Sequence, residues 1–264
     1  MLKGRAAQPP VRVSSCMKRP DFATFAALGM AVGLIGLGVL SILAHDFAFQ
    51  WEPVPKTWPA REVLGMVSGL ILLAAGGLLL PPRTRAWGAL IAAVFIGLWV
   101  IVLHLPRALS KPIDFASWNA VSEALVMASG AFVAFRELRG QSARIAIWAM
   151  GACYVVFGCT HFQYAAFTAT MIPAWLPMRV GLAYFTGAIH ALSGLALLLG
   201  VRRRWAAAIE AAMMTSFVLL VHIPRVAAKP GDRFELTMLF IAVTLSSAAW
   251  ILASSRAVAG QGRA

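Results

Sequence analysis

The sequence predicts an all-α integral membrane protein with eight transmembrane helices, arranged as two parallel-repeat four-helix bundles with both termini cytoplasmic. Three observations lead to this prediction: the composition, a series of apolar runs and an internal repeat. Of the 264 residues, 60% are hydrophobic and 12% are charged, and the mean hydropathy is +0.79. Soluble domains are much less apolar. The composition therefore indicates a chain whose surroundings are mainly lipid.

Eight apolar runs are long enough to cross a bilayer, since a spanning helix needs about 20 mostly apolar residues. They are predicted at residues 25–48, 61–80, 86–105, 117–136, 143–166, 178–200, 204–223 and 236–254. Residues 1–24 are polar and rich in proline and basic residues, and the run that follows them has no small-residue cleavage site, so the first run is expected to remain as a helix. Residues 1–24 are predicted to be a disordered cytoplasmic arm, and residues 255–264 a cytoplasmic tail.

Basic residues are distributed unevenly between the two sides of this topology. Fifteen Lys and Arg residues fall in the amino-terminal arm, the loops after the second, fourth and sixth runs, and the tail, against eight in the other loops. Cytoplasmic loops carry the excess of basic residues, so both termini are expected in the cytoplasm of a bacterium, with the helices in its inner membrane. The net charge of +13 is spread over short loops, which predicts contact with anionic lipid headgroups and no nucleic-acid partner.

Two similar segments, HLPRALSKP from His104 and HIPRVAAKP from His222, lie 118 residues apart. The same spacing relates further pairs, namely Pro55 and Pro173, Pro59 and Pro177, Arg61 and Arg179, Gly69 and Gly187, Arg85 and Arg203, Trp87 and Trp205, and Asp114 and Asp232. This pattern predicts a tandem duplication with repeats at residues 25–137 and 143–254. Each repeat holds an even number of helices, so the repeats are expected to be parallel, with a pseudo-twofold axis along the membrane normal.

Histidine and arginine recur at the helix ends that this topology places on the outer face. Each repeat is expected to place two histidines and two arginines at the outer face. His45 matches His161 if the second repeat holds two extra residues. The candidate outer-face residues are His45, Arg61, His104, Arg107, His161, Arg179, His222 and Arg225. Arginine beside histidine would attract an anion or a polarised carbonyl oxygen. The alternative is structural, because such residues are common at membrane interfaces and Pro106 and Pro224 would end their helices.

Three ionisable residues, Glu123, His190 and Glu210, are predicted inside the hydrocarbon region. Ionisable groups are costly in lipid and usually face the interior of a bundle. The corresponding positions of the other repeat hold the apolar residues Ile241, Leu72 and Ala92. The three are candidates for internal hydrogen bonding or for a path through the protein.

The sequence predicts no metal site and no thiol redox pair, since its cysteines form no CxxC motif. The cofactor stays unknown at this level. Quinone could meet the His and Arg residues of the outer face, and haem ligated by histidines from different helices is a weaker alternative.

The segments GMVSGLILLAAGGLLLPPRTRAWGAL and FTGAIHALSGLALLLGVRRRWAAAI, each with a short basic turn between two apolar helices, resemble the DoxX/DoxD-like bacterial membrane proteins. The resemblance covers roughly residues 26–137 and 145–254, so the chain looks like a tandem pair of four-helix DoxX-like units. It implies an accessory component of a redox or stress-related membrane complex, or a link to thiosulfate:quinone oxidoreductase. The doubled length departs from the single unit, and no catalytic signature of the family can be carried over.

Three functions follow as hypotheses. The first is an accessory or binding module of a membrane redox complex, which uses the paired outer clusters to bind a partner subunit or lipid. The second is a quinone-linked oxidoreductase subunit, in which His104 and His222 serve the quinone while Arg107 and Arg225 hold an anionic substrate. The third is a small-molecule transporter with Glu123, His190 and Glu210 along its path. Oligomeric state is left open.

Overall fold

The computed structural model describes residues 22–48 and 51–259, and in these residues the chain is helical with no strand. Eight of the helices are long and apolar enough to cross a membrane, which confirms the predicted helical class. We label them in chain order α1 (Phe22–Ala44), α2 (Arg61–Leu79), α3 (Arg85–Leu109), α4 (Phe115–Leu138), α5 (Arg144–Gln163), α6 (Arg179–Leu199), α7 (Arg203–Ala228) and α8 (Arg233–Ser254). Short helices at Ala165–Met171 and Arg256–Ala259 complete the described part.

Several helix boundaries differ from the predicted ones because of local backbone and capping chemistry. α1 ends at Ala44 rather than near residue 48, since His45 adopts a left-handed φ of 50°. α8 begins at Arg233, where the Asp232 carboxylate accepts a hydrogen bond from the Glu235 amide at 3.0 Å. Of the predicted arm and tail, residues 1–21 and 260–264 lie outside the described residues.

The third and seventh helices continue through both His-x-Pro-Arg motifs instead of ending there. The turns Val100–His104 and Val218–His222 are π-helical, and an α-helical segment follows each of them. The proline falls in the first turn of that segment, where its missing amide costs little. The expectation that Pro106 and Pro224 end their helices is therefore wrong. π-Helical turns are rare and often lie at functional sites.

Consecutive helices pack on one another from α1 to α8, and two further contacts close the bundle. α1 packs on α8, where Gly29 and Gly33 approach Ser247 and Thr244. α4 packs on α8, where Gly130 meets Ala248. Gly130 and Ala248 are themselves 118 residues apart, so equivalent positions of the sequence repeat touch each other at the centre.

Local structure recurs at the same spacing elsewhere in the chain. Ala60 and Met178, each just before a helix, have left-handed φ values of 52° and 50°. Arg85 donates Nε to the Leu79 carbonyl at 3.0 Å, and Arg203 donates Nε to the Leu197 carbonyl at 2.8 Å. We name the two ends of the helical bundle by what they carry. The "motif end" carries both His-x-Pro-Arg segments, and the "terminal end" carries the start of α1 and the end of α8.

Adjacent glycines in α2 offer a matched test of helix packing. A Cβ on Gly76 would lie 2.8 Å from the Ala31 carbonyl oxygen, whereas one on Gly77 would meet nothing within 4 Å. We expect Gly76→Ala to lower the free energy of unfolding by about 1–3 kcal/mol through overpacking. Gly77→Ala should leave it unchanged or raise it by up to about 1 kcal/mol. Unfolding in mild detergent measures both, and equal effects would contradict this packing.

Candidate functional site

A cluster of ionisable side chains lies inside the second half of the bundle; we call Tyr154, His161, His190 and Glu210 the second-half cluster. At its centre His190 Nδ1 lies 2.5 Å from Glu210 Oε1, joining α6 to α7. The two side chains are 3% and 0% exposed. Sequence reasoning found both residues but did not pair them.

His161 extends the cluster toward the motif end. Its ring centroid lies 4.7 Å from that of His190, and both rings lie near Phe217. His161 Nδ1 lies 2.9 Å from the Phe157 carbonyl oxygen, an arrangement that requires Nδ1 to donate. Nε2 is then the acceptor nitrogen of a neutral ring. His161, predicted at the outer surface, instead joins the two intramembrane residues.

Tyr154 extends the cluster in the opposite direction. It lies on α5 seven residues before His161, about 10 Å deeper along the helix. Its side chain is fully buried, and its hydroxyl has no hydrogen-bond partner among the described residues. Glu210 Oε2 is also buried without a partner, and the Glu210 carboxyl is close enough to interact electrostatically with the tyrosine.

Glycine contacts show which residues of the first half occupy the equivalent places. A Cβ on Gly38 would meet the Gly69 carbonyl, and a Cβ on Gly158 would meet the Gly187 carbonyl, so α1 and α5 correspond with a spacing of 120. This spacing matches His161 with the buried Ser41. The expected match of His161 with His45 is wrong, because His45 lies past the end of α1 and is exposed.

The positions equivalent to the rest of the second-half cluster are apolar. Leu34 corresponds to Tyr154 by the α1 spacing, while Leu72 and Ala92 correspond to His190 and Glu210 by the repeat spacing. Leu34, Leu72 and Ala92 are all fully buried. The second half therefore carries polar groups where the first half packs hydrocarbon.

The first half instead buries an acid in the loop between α1 and α2. Glu52 is 2% exposed; it accepts hydrogen bonds from the Ser68 hydroxyl and from the Ala48 amide at 2.8 Å. Burial raises the pKa of Glu52 to about 7, although the Ser68 and Ala48 hydrogen bonds oppose the shift. The same loop buries Trp51, and Trp99 lies near the carboxyl group.

This loop makes the surroundings of the two motif histidines different. His104 is 2% exposed, lies near the Trp51 backbone, and has neither ring nitrogen in an aligned hydrogen bond. His222 lines a cavity of about 200 Å³ at the motif end, and its buried Nδ1 also lacks a partner. One copy of the motif is thus sealed and the other faces a cavity.

The cavity beside His222 has mostly apolar walls and one ion pair. It is lined by Phe167, Thr170, Met171, His222, Arg225, Phe234, Glu235 and Met238. Arg225 donates Nε and Nη2 to the two Glu235 carboxylate oxygens, each at 2.8 Å. A bidentate pair of this kind leaves little net charge at the cavity wall.

The eight predicted outer-face residues do not form two matching clusters. Arg61 pairs with Asp46 at 2.8 Å and donates to the Val54 carbonyl at 2.6 Å. Arg107 is exposed. Arg179 lines a separate, wide depression of about 480 Å³. His222 and Arg225 line the same cavity.

Glu123, the third predicted intramembrane residue, accepts a hydrogen bond from Asn119 Nδ2 at 2.8 Å, one turn away on α4. Among the described residues, no group of three or more His, Cys, Asp or Glu side chains is placed to hold a metal ion.

Sequence reasoning missed four residues of these sites: Asp46, Glu52, Tyr154 and Glu235. Acids in loops and at helix starts look like ordinary surface residues, so Asp46, Glu52 and Glu235 gave no signal. Tyr154 had one available signal, since Tyr154, Phe157 and His161 share a helical face at spacings of three and four.

Comparison with known proteins gives one family match. A family model described as "Domain of unknown function (DUF8561)" matches residues 150–255, which is less than half of the chain. The matched range includes the second-half cluster and the cavity beside His222. No curated protein and no solved structure matches the chain.

Glu52 predicts a specific pH dependence of stability. Its pKa is about 7 in the folded chain against an ordinary 4.5, so between these values only the unfolded state loses the proton. The stability contribution is therefore present in acid and is lost as pH rises, by about 3 kcal/mol in total. Unfolding in detergent across this pH range should show the loss.

Glu52→Gln, which stays neutral, should flatten the decline. Glu62→Gln, at an exposed position of α2, should keep it and serves as the matched control. Parallel pH curves for the wild type and Glu52→Gln would show that Glu52 does not carry the effect.

Proposed function

We propose that the chain is a multi-pass protein of the bacterial inner membrane, built from two parallel four-helix repeats with both termini in the cytoplasm. The contact between the equivalent residues Gly130 and Ala248 supports a twofold axis between the repeats, parallel to the helices. The excess of Lys and Arg at the terminal end supports its cytoplasmic placement. The motif end then faces the outside.

We further propose that the protein is a binding module for a small amphiphile at the motif end of its second half. The observation that carries this proposal is the cavity of about 200 Å³ into which the second His-x-Pro-Arg motif opens. Mostly apolar walls with a few polar groups are typical of small-molecule sites. The His222 imidazole at the cavity wall would supply the hydrogen bond that orients a ligand.

Charge at the cavity wall favours a neutral ligand. The Arg225 guanidinium is bound by both oxygens of Glu235, so it does not offer the free positive charge that an anionic substrate would need. The corresponding first-half arginine, Arg107, has Ser117 in the place of Glu235 and is exposed. The ligand class that fits is a neutral molecule with an apolar body and one oxygen that accepts or donates a hydrogen bond.

In the wider setting we propose an accessory role in a membrane redox complex, as the DoxX/DoxD resemblance implies. Quinone is a neutral ring with carbonyl oxygens, so a quinone-linked subunit is the main alternative, with its second electron carrier supplied by a partner. Transport is supported less, because Glu123 is hydrogen-bonded within α4 to Asn119 while His190 and Glu210 pair with each other.

The two motif histidines form a matched pair for testing the cavity. Purified protein in mild detergent should bind decylubiquinone, a neutral amphiphilic probe. His222→Ala should weaken that binding about tenfold or more by removing the orienting hydrogen bond, since tenfold corresponds to about 1.4 kcal/mol. His104→Ala, at the sealed copy, should leave affinity unchanged. Tryptophan fluorescence quenching measures both.

Equal weakening in the two variants, or unchanged affinity in His222→Ala, would contradict the cavity as the binding site. Absence of binding in the wild type would contradict the quinone alternative. A long-chain alcohol of similar length then tests the broader class of neutral amphiphiles in the same variants.

A further inference from the structure

The second-half cluster lies deeper in the bundle than the cavity beside His222 and contributes no residue to its wall. Its members come from α5, α6 and α7, and their side chains are buried or half-buried. Four titratable groups so close together inside a membrane bundle require an explanation that the ligand cavity does not supply.

We propose that His161, His190 and Glu210 form a one-sided proton path from the motif end into the membrane interior, with Tyr154 at its inner end. The ligand of this site is the proton. It passes between groups that already hold exchangeable hydrogens, so no other reactant is needed.

The first step joins the two histidines. His161 is half-buried at the end of α5, and its hydrogen bond to the Phe157 carbonyl leaves Nε2 as a proton acceptor. The ring centroids of His161 and His190 are 4.7 Å apart, so a modest ring rotation or one water molecule connects their nitrogens. A proton that binds Nε2 of His161 makes that ring an imidazolium. The ring becomes neutral again when it gives one of its two ring protons to a nitrogen of His190.

The second step is the hydrogen bond between His190 and Glu210. At 2.5 Å between Nδ1 and Oε1, a proton in this hydrogen bond moves between the partners with little displacement of either side chain.

The inner end of the path is formed by the second carboxylate oxygen and the tyrosine. Glu210 Oε2 and the Tyr154 hydroxyl are both buried and unpartnered, and they are electrostatic neighbours. After a side-chain rotation, the Tyr154 hydroxyl can donate to Glu210 Oε2 and exchange its hydrogen with the Glu210 carboxyl, so hydrogen is exchanged at the inner end with no net transfer beyond it. Beyond Tyr154, His190 and Glu210 toward the terminal end, the ionisable side chains of α5 to α7 are Cys153 and the arginines in the first turns of α5 and α7. The path therefore opens toward the motif end alone.

α7 packs on α6, on α8 and on the short helix Arg256–Ala259, whose Arg256 is exposed at the terminal end. Glu210 also lies near Tyr154 of α5. α5 supplies Tyr154 and His161, and α6 supplies His190 itself. In α8 the only ionisable residues are Arg233 and Glu235, both in its first turn at the motif end, where Glu235 is bound to Arg225. No fixed charge from α8 thus lies beside Glu210 to set its protonation.

The first half is an internal control for a purely structural role. The equivalent positions Leu34, Ser41, Leu72 and Ala92 are buried there, and α1 to α3 pack without any ionisable group at them. Buried ion pairs are often no more stabilising than well-packed apolar residues. Since the same helical unit forms with hydrocarbon at these places, the His190–Glu210 pair is not required for packing.

The test follows hydrogen exchange at the shared proton by infrared spectroscopy, on protein in lipid vesicles transferred from H₂O to D₂O. The signal is the carboxyl band of Glu210 or, where the proton sits on the ring, the N–H band of His190. Glu210→Gln assigns the carboxyl band, and Glu123→Gln, which removes the acid of α4, is the matched control. In wild type we expect exchange faster than that of the α7 backbone amides.

His161→Phe keeps an aromatic ring beside Phe217 but removes the exchangeable nitrogens. It should slow exchange of the shared proton about tenfold or more. A tenfold slower rate corresponds to an activation free energy about 1.4 kcal/mol higher. Equal rates in the wild type and His161→Phe would overturn the path, as would wild-type exchange no faster than the α7 amides.

The double variant H190L/E210A places the first-half residues in the second half. We expect it to fold, with an unchanged or higher unfolding temperature, and to lose the exchanging signal. If it fails to fold while Glu123→Gln folds normally, the pair is structural and the inference is wrong. The double variant should still bind decylubiquinone, because neither His190 nor Glu210 lines the cavity beside His222. Failure of the proton path and failure of the ligand cavity can therefore be told apart.

Discussion

Close approach of α4 and α8 at Gly130 and Ala248 is the contact on which the rest of the arrangement depends. A side chain larger than hydrogen on Gly130 would collide with Ala248, so this residue sets the separation of the two halves. α1 then packs on α8, and α5 on α4, which ties the first helix of each half to the last helix of the other. The halves consequently share one core instead of forming two separate bundles, and both His-x-Pro-Arg motifs lie at one end.

Within that shared frame the two halves have different chemistry. In the first, the loop carrying Trp51 and Glu52 covers His104, and the interior is filled by leucine and alanine. In the second, the equivalent connection forms the short helix Ala165–Met171, the cavity beside His222 stays open, and the interior holds the second-half cluster. Polar groups buried in hydrocarbon must satisfy one another.

The sequence was sufficient for the helical class and the number of long helices, because bilayer thickness requires long apolar runs. It failed at the His-x-Pro-Arg segments, where a π-helical turn accommodates a proline that normally ends a helix. It separated His161 from His190 and Glu210, because contact between three helices depends on rotation about each axis, which hydropathy does not encode. Glu52 was not predictable, since only the folded loop buries it.

The central claim is that the second half is the ligand-binding half and the first half is its sealed structural copy. A crystal structure of protein purified from its native membrane and grown in a lipid phase tests this most directly. We expect non-protein density in the cavity beside His222, within hydrogen-bond distance of its imidazole ring, and none beside His104. Density beside His104, or a cavity at His222 filled only by protein side chains, would contradict it.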